Sequence, residues 1–453
     1  MSSDANGKSN TLTSAKLNYD ILVQIMETQE DWSKADMLSM MSTCKTLYRS
    51  GIPFLLQHPV HVTEANIEAF CDYMLSDITF RALGLRHVYL ESFNTSESRH
   101  QRQRLPAIFR HASHLVTFSV VESEKLLSDF PQMIDILASL NKLTELEVWS
   151  AGVSSIELYQ RLSGRLVRVG ASLCDTDDGF IPHEPLDVPP HLKTLVLDHI
   201  DIRLFTKPCP LLQHLEIDGA SLAENLQTLV HFCPNLRRLV LKGPIGEGED
   251  LVDAAYRENA HYARSEAQQW KELEIVEGHL HHLFALAIPC CVHNLRVTSC
   301  ALEGIAEAFW LYTVLAAYKP RELFLKLDTG HINMDLAHII QTLEVITPHL
   351  ISVVVHVKIS DDFDDIDDLL VNILRFIHCS TLVEIEITLD SDSESVNRIL
   401  VEAFDISSID VARRVQAAVR SPTLCRVALH NNVQTRSIWK VANESIVLDG
   451  VSV

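Results

Sequence analysis

A chain of 453 residues with 47% hydrophobic content can bury a large core, and it exceeds one ordinary domain unless it grows by stacking repeats. Its 38 basic and 60 acidic residues give a formal net charge of -22, which excludes an extended basic footprint for nucleic acid or an anionic membrane surface. The ten cysteines show no paired spacing, so reduced thiols are expected rather than a disulfide framework.

Residues 1–16 are polar, rich in Ser, Thr and Asn, and expected to form a disordered tail. They hold no apolar h-region, so no signal peptide is expected and the protein is read as intracellular, cytoplasmic and/or nuclear. Residues 17–56 are helical in pattern. Leu17, Ile21, Leu22, Ile25 and Met26 recur at helical spacing. Ser33 offers an N-cap with Asp36 three residues on, ahead of Met37, Leu38, Met40, Met41 and Cys44. Leu47, Tyr48 and Ile52 follow, and Gly51 is placed to end that helix. So small a bundle exposes more apolar surface than it can bury alone, which implies a partner or docking onto the rest of the chain.

From residue 60 to 453 a different pattern recurs, apolar-x-x-apolar-x-apolar, often after Pro or Cys-Pro. Three copies stand nearly in tandem, with first apolar residues Leu192, Leu212 and Leu236. Their spacing of about 20–24 residues is the period of a leucine-rich repeat. Weaker copies start at Leu85, Leu115, Leu143 and Leu166, and further on at Trp270, Val292, Pro320, Leu350, Leu382 and Leu424. The alternation within each copy is a strand period. Between copies lie helical stripes, as at 130–140 and 365–378. Strand plus helix, repeated, predicts an α/β fold: a curved right-handed solenoid with a parallel sheet on its concave side. The strand-like run 445–448 is expected to cap its end.

Outward positions follow from the template as the third, fifth and seventh residues. They are Glu145, Glu147 and Trp149; His214, Glu216 and Asp218; Arg238, Val240 and Lys242; and Glu272, Glu274 and Val276. The polar members and Trp149 are the candidate target-binding residues, because an outward Trp among carboxylates has the composition of a recognition surface. Arg168, Arg238 and Arg296 fall on outward positions where they could read a phosphate.

Candidates for chemistry are few. His279, His281 and His282 stand near Cys290, Cys291 and His293, but without Cys-x-x-Cys or His-x-x-x-His spacing. The run from Gly243 to Gly248 lacks the Lys and Ser/Thr of a phosphate loop. The acidic run 361–368 lacks the Gly and final Glu of a calcium loop, and 390–395 reads as a solvated loop. No catalytic set, metal site or cofactor is expected.

The N-terminal module resembles an F-box in the divergent form found in many fungal proteins. The residues that carry the resemblance are Leu17-Asn18, Asp20-Ile21-Leu22, Asp36-Met37-Leu38 and Thr43-Cys44-Lys45-Thr46-Leu47-Tyr48-Arg49. Asn18 stands where that family has Pro, and Leu47-Tyr48 where Trp is common. The resemblance implies a non-catalytic substrate receptor of a cullin-based ubiquitin ligase. Leu17, Ile21, Leu22, Ile25, Met37, Leu38 and Met41 would dock on a Skp-family adaptor, and the repeats would hold the target protein. The other reading is a protein-interaction scaffold or regulator with no ubiquitin link, its N-terminal helices capping the solenoid.

Overall fold

The computed structural model describes residues 19–28, 33–92, 100–173, 186–200, 202–205, 207–218, 226–243, 249–265, 269–301, 305–328, 349–359, 382–391, 424, 426–431, 436–442 and 445–448. The tail 1–16, Leu17, the stripe 365–378, the acidic run 361–368, residues 392–395 and the loop 244–248 lie outside the described residues. The chain divides into two compact units, Met1–Val148 with Ser154–Leu158, and Trp149–Val153 with Tyr159–Val453. Both are α/β with parallel strands in sequence order. Among the described residues no helix is long and apolar enough to cross a membrane.

The first unit opens with three short helices, α1 (Tyr19–Thr28), α2 (Lys34–Met41) and α3 (Lys45–Leu55). Ser33 caps α2: its Oγ accepts from the Asp36 N–H at 3.2 Å and donates to Asp36 Oδ2 at 2.6 Å. Gly51, expected to end a helix, lies inside α3, which continues through Pro53 to Leu55. A Cβ at position 51 would overlap the Met26 and Met41 side chains, so close packing, not termination, selects glycine.

Strands β1 (Val60–Val62), β2 (His87–Leu90), β3 (Thr117–Val120) and the first part of β4 (Glu145–Ala151) then pair in order, all parallel. Parallel neighbours need crossovers. These are α4 (Ile67–Ser76) with α5 (Ile78–Gly84), α6 (Leu105–His111), and α7 (Ser123–Asp129) with α8 (Gln132–Ser139). The stripe at 130–140 is α8, which buries Met133, Ile134, Ile136 and Leu137. Val88, Leu90, Phe118, Val120, Leu146 and Val148 point into the same core, where Phe109 meets Phe118 edge-on at 5.5 Å. Glu124 of α7 accepts from the Ser154 and Ser155 N–H groups at 3.1 Å each, satisfying the first turn of α9 (Val153–Leu162).

In the second unit ten strands pair in order and in parallel. They are β5 (Arg168–Leu173), β6 (Thr194–Asp198), β7 (His214–Asp218), β8 (Arg238–Lys242) and β9 (Glu272–His279). There follow β10 (Cys291–Ala301), β11 (Glu322–Asp328), β12 (Ser352–Lys358), β13 (Glu384–Asp390) and β14 (Arg426–Asn431). The described crossover helices are α10 (Leu226–Phe232), α11 (Glu249–Ser265), α12 (Leu280–Leu286) and α13 (Ile305–Tyr318). Beyond β14, β15 (Arg436–Ala442) and β16 (Ser445–Leu448) turn back antiparallel. The run 445–448 is thus a strand, paired to one the template does not cover.

A repeated turn sets the strands. The N–H groups of Leu192, Leu212 and Leu236 each donate to the carbonyl three residues back, at 3.2, 3.2 and 3.3 Å. The strand begins two residues after each of these leucines. One carbonyl then receives two successive N–H groups from the next copy. Lys193 O takes Gln213 and His214, and Gln213 O takes Arg237 and Arg238. That double bond fixes the register, aligning Thr194, His214 and Arg238 across β6, β7 and β8.

In β9 the register differs from expectation. Arg237 O receives Glu274 and Ile275, and Arg238 pairs with Ile275. The copy therefore starts at Leu273, three residues after Trp270. Trp270 is buried and its indole N–H donates to the Cys233 carbonyl at 2.8 Å. The true copy is hidden in the sequence because its last apolar slot is Gly278. A Cβ there would lie 2.9 Å from Leu241 Cβ, so the neighbouring strand leaves no room for the usual side chain.

Candidate binding faces

The three N-terminal helices present an uneven surface. Ile21 is 54% exposed, Leu38 49%, and Tyr19 and Tyr48 both 44%. Leu22 and Ile25 are half-buried. Met37 and Met41, expected among the docking residues, are instead core, each 2% exposed. They stand four apart on one side of α2, the side that closes on Gly51 of α3, and Leu38 is left outside. Beside them Tyr48, Ile52, Pro53, Phe80 and Arg81 line an open groove of about 920 Å³.

On the strand face of the first unit, Glu145 is part of a cross-strand chain. His87 Nδ1 lies 2.8 Å from Thr117 Oγ1, which donates to Glu145 Oε2 at 2.7 Å. Burial lowers the His87 pKa, and Glu145 opposes that shift. Glu147 is half-buried one step along β4. Trp149, also half-buried, belongs to the second unit.

In the second unit the parallel register gathers side chains into rows. Arg168, Thr194, His214, Arg238, Ile275 and Asn294 share one row. Glu216, Val240, Glu277 and Arg296 share the next. Glu277 Oε2 lies 3.9 Å from Arg238 and 3.9 Å from Arg296, one carboxylate between two guanidinium groups. Lys242 pairs with Glu216. Burial, and then the Arg238 charge, hold the His214 pKa below its ordinary value. Asp218 is largely buried and lies 3.2 Å from His199 Nδ1, with Asp198 3.7 Å from the other ring nitrogen.

Four expected outward residues differ from expectation, three of them in position. Glu272 and Glu274 lie on the exposed approach to the β9 row, paired with His293 and with Arg237 at 2.9 Å respectively. Val276 faces the core, and Val240 holds its row position but is buried. Ile275 and Glu277, which reading from Trp270 missed, take the places assigned to the two glutamates. The spacing from Leu273 to Val276 was the signal for them.

The cysteine and histidine group is divided by β10. Cys291 pairs with Glu272 at one end and Ser299 pairs with His279 at the other. Eight residues of strand, roughly 25 Å, separate the two ends. His279, His281 and His282 form their own cluster, without Cys290, Cys291 or His293. Gly243 adopts φ 75° in the turn after β8.

No family model matches the chain, and no curated protein matches it. Among solved structures it is similar to ribokinase from Giardia lamblia, at 12% identity and a TM-score of 0.20, over 47% of this chain and 70% of that one. So low a score carries no argument about fold or function.

Proposed function

We propose that this chain is a non-catalytic substrate receptor of a cullin-based ubiquitin ligase. In this reading α1 to α3 are an F-box-type module that docks on a Skp-family adaptor. The in-order parallel strands are a divergent leucine-rich-repeat solenoid whose polar rows hold the target protein. Catalysis belongs to other subunits, and this chain supplies proximity and orientation. The observation that carries the reading is the exposure of Ile21 and Leu38, with Tyr19 and Tyr48, on a small helical unit ahead of the strands. Apolar residues so exposed are the kind of surface a partner covers. The turn shared by Leu192, Leu212 and Leu236 supports the repeat half of the reading. On the target side we assign Glu145, Glu147, Trp149, His214, Glu216, Arg238 and Lys242, and add Glu277 and Arg296.

The burial of Met37 and Met41 favours the second reading, a scaffold whose N-terminal helices are a cap. The two separate on a pull-down with purified Skp-family adaptor. The full chain is expected to retain the adaptor, and Ile21→Asp with Leu38→Asp to lose it while the circular dichroism spectrum is unchanged. Both substitutions are at exposed positions, so lost binding reports docking rather than unfolding. A wild-type chain that does not bind the adaptor leaves the scaffold reading in place.

A further inference from the structure

Three imidazoles converge where β9 passes into α12. The ring centres of His281 and His282 are 4.7 Å apart, those of His279 and His281 5.5 Å, and those of His279 and His282 5.6 Å. His282 is 2% exposed, and neither of its ring nitrogens has a hydrogen-bond partner. A buried imidazole with two unsatisfied nitrogens is costly, and such exceptions mark strain, catalysis or a bound ion or water. The spacing is compatible with a bound ion. Three imidazoles on a tetrahedral ion, with metal–nitrogen bonds of about 2.0–2.1 Å, have ring centres about 5 Å apart.

The charge of Lys326 on β11 is felt at His279. Among the described residues, the one set of three donor atoms already within 4.8 Å of one another lies elsewhere, at Asp198, His199 and Asp218. There His199 lies 3.2 Å from Asp218 and 3.7 Å from Asp198. At the histidine cluster the rings are gathered and the nitrogens are not. Binding therefore entails turning rings, and a half-turn about Cβ–Cγ exchanges nitrogens with carbons without displacing the ring.

We propose that His279, His281 and His282 bind one divalent transition-metal ion of the zinc type through three imidazole nitrogens, leaving a fourth position for water. The site does not depend on the ligase reading. Imidazole suits zinc, copper and nickel, and harder ions prefer oxygen. Lys326 repels any dication placed there, so neutralising it should strengthen binding.

The test is calorimetric titration of the full chain with zinc chloride, with cobalt(II) as a spectroscopic probe of tetrahedral nitrogen ligation. One ion per chain is expected. His281→Ala, and His279→Ala with His281→Ala, should weaken it by about tenfold or more. These two positions are only half-buried, so the variants keep the core that His282 helps to fill. His199→Ala should leave binding unchanged, and Lys326→Gln should tighten it. A wild-type chain that takes up no zinc in excess overturns the proposal. So does the double variant binding as tightly as wild type, or binding that is lost with His199→Ala instead.

Discussion

A thiol buried against backbone carbonyls is a poor nucleophile, because the reactive form is the thiolate. Cys209 and Cys233 occupy equivalent turns ahead of β7 and β8. Cys209 Sγ donates to the Leu192 carbonyl at 3.7 Å and Cys233 Sγ to the Leu229 carbonyl at 3.0 Å. Burial pushes Cys209 up to about 11 and Cys290 up to about 12, and raises Cys233 and Cys300 strongly. A raised thiol pKa means less thiolate at any pH below it. Among the described cysteines, iodoacetamide at mildly alkaline pH should therefore label the exposed Cys291 in the folded chain and spare these four until urea is added. Mass spectrometry of the labelled peptides decides it. Labelling of Cys209 or Cys233 as fast as Cys291 would remove them from the packed turns. The place of Cys209 and Cys233 in a turn ahead of a strand was legible in the sequence, since each precedes Pro and the apolar template. Gly51 was not legible in the same way: a glycine chosen for the Met26 and Met41 side chains looks, along the chain, like a glycine chosen to end a helix. Met37 and Leu38 were equally ambiguous, because α2 has eight residues and its buried side is set only by where α3 crosses it.

At the scale of the element, one buried amide joins three helices. Asn259 of α11 accepts from the Leu226 N–H of α10 at 3.0 Å and donates to the Ala285 carbonyl of α12 at 2.8 Å. Both partners are backbone groups in a dry environment. Asn259→Ala leaves them unpaired, at about 1–3 kcal/mol each. The expected result is a lower urea midpoint with an unchanged slope. A change within about 0.5 kcal/mol, the range of ordinary surface substitutions, would mean that water replaces the amide. Nothing in the sequence singled out Asn259, because its partners lie 33 and 26 residues away and neither belongs to a motif. Strand positions were legible for the opposite reason. Their period of two and the preceding turn are local, so Leu85, Leu115, Leu143, Leu166, Pro320, Leu350, Leu382 and Leu424 each stand two residues before a strand. β9 failed where two local solutions competed, and the choice between Trp270 and Leu273 was made by Leu241 on the neighbouring strand. The histidine cluster was visible as a composition and not as a site, since ring distances depend on how β9 enters α12.

At the scale of the molecule, the consequence of in-order pairing can be tested within the second unit. β7, β8 and β9 touch only their sequence neighbours through the sheet, and the same holds for β12 and β13. In such an array stability is close to a sum of local terms and neighbour terms. Leu239 of β8 is fully buried between Leu215 and Val276 in the register. Leu239→Ala removes about 2–5 kcal/mol of packing. If coupling falls off with distance along the array, hydrogen exchange should accelerate in β7, β8 and β9 and change little in β12 and β13. The measurement is exchange read by mass spectrometry on wild type and variant under the same conditions. Uniform acceleration across all five strands would mean that the unit opens as one cooperative body. The proposed receptor role makes the local outcome the more useful one: a row such as Arg238, Glu277 and Arg296 could then adjust to a target without loosening the strands beyond it.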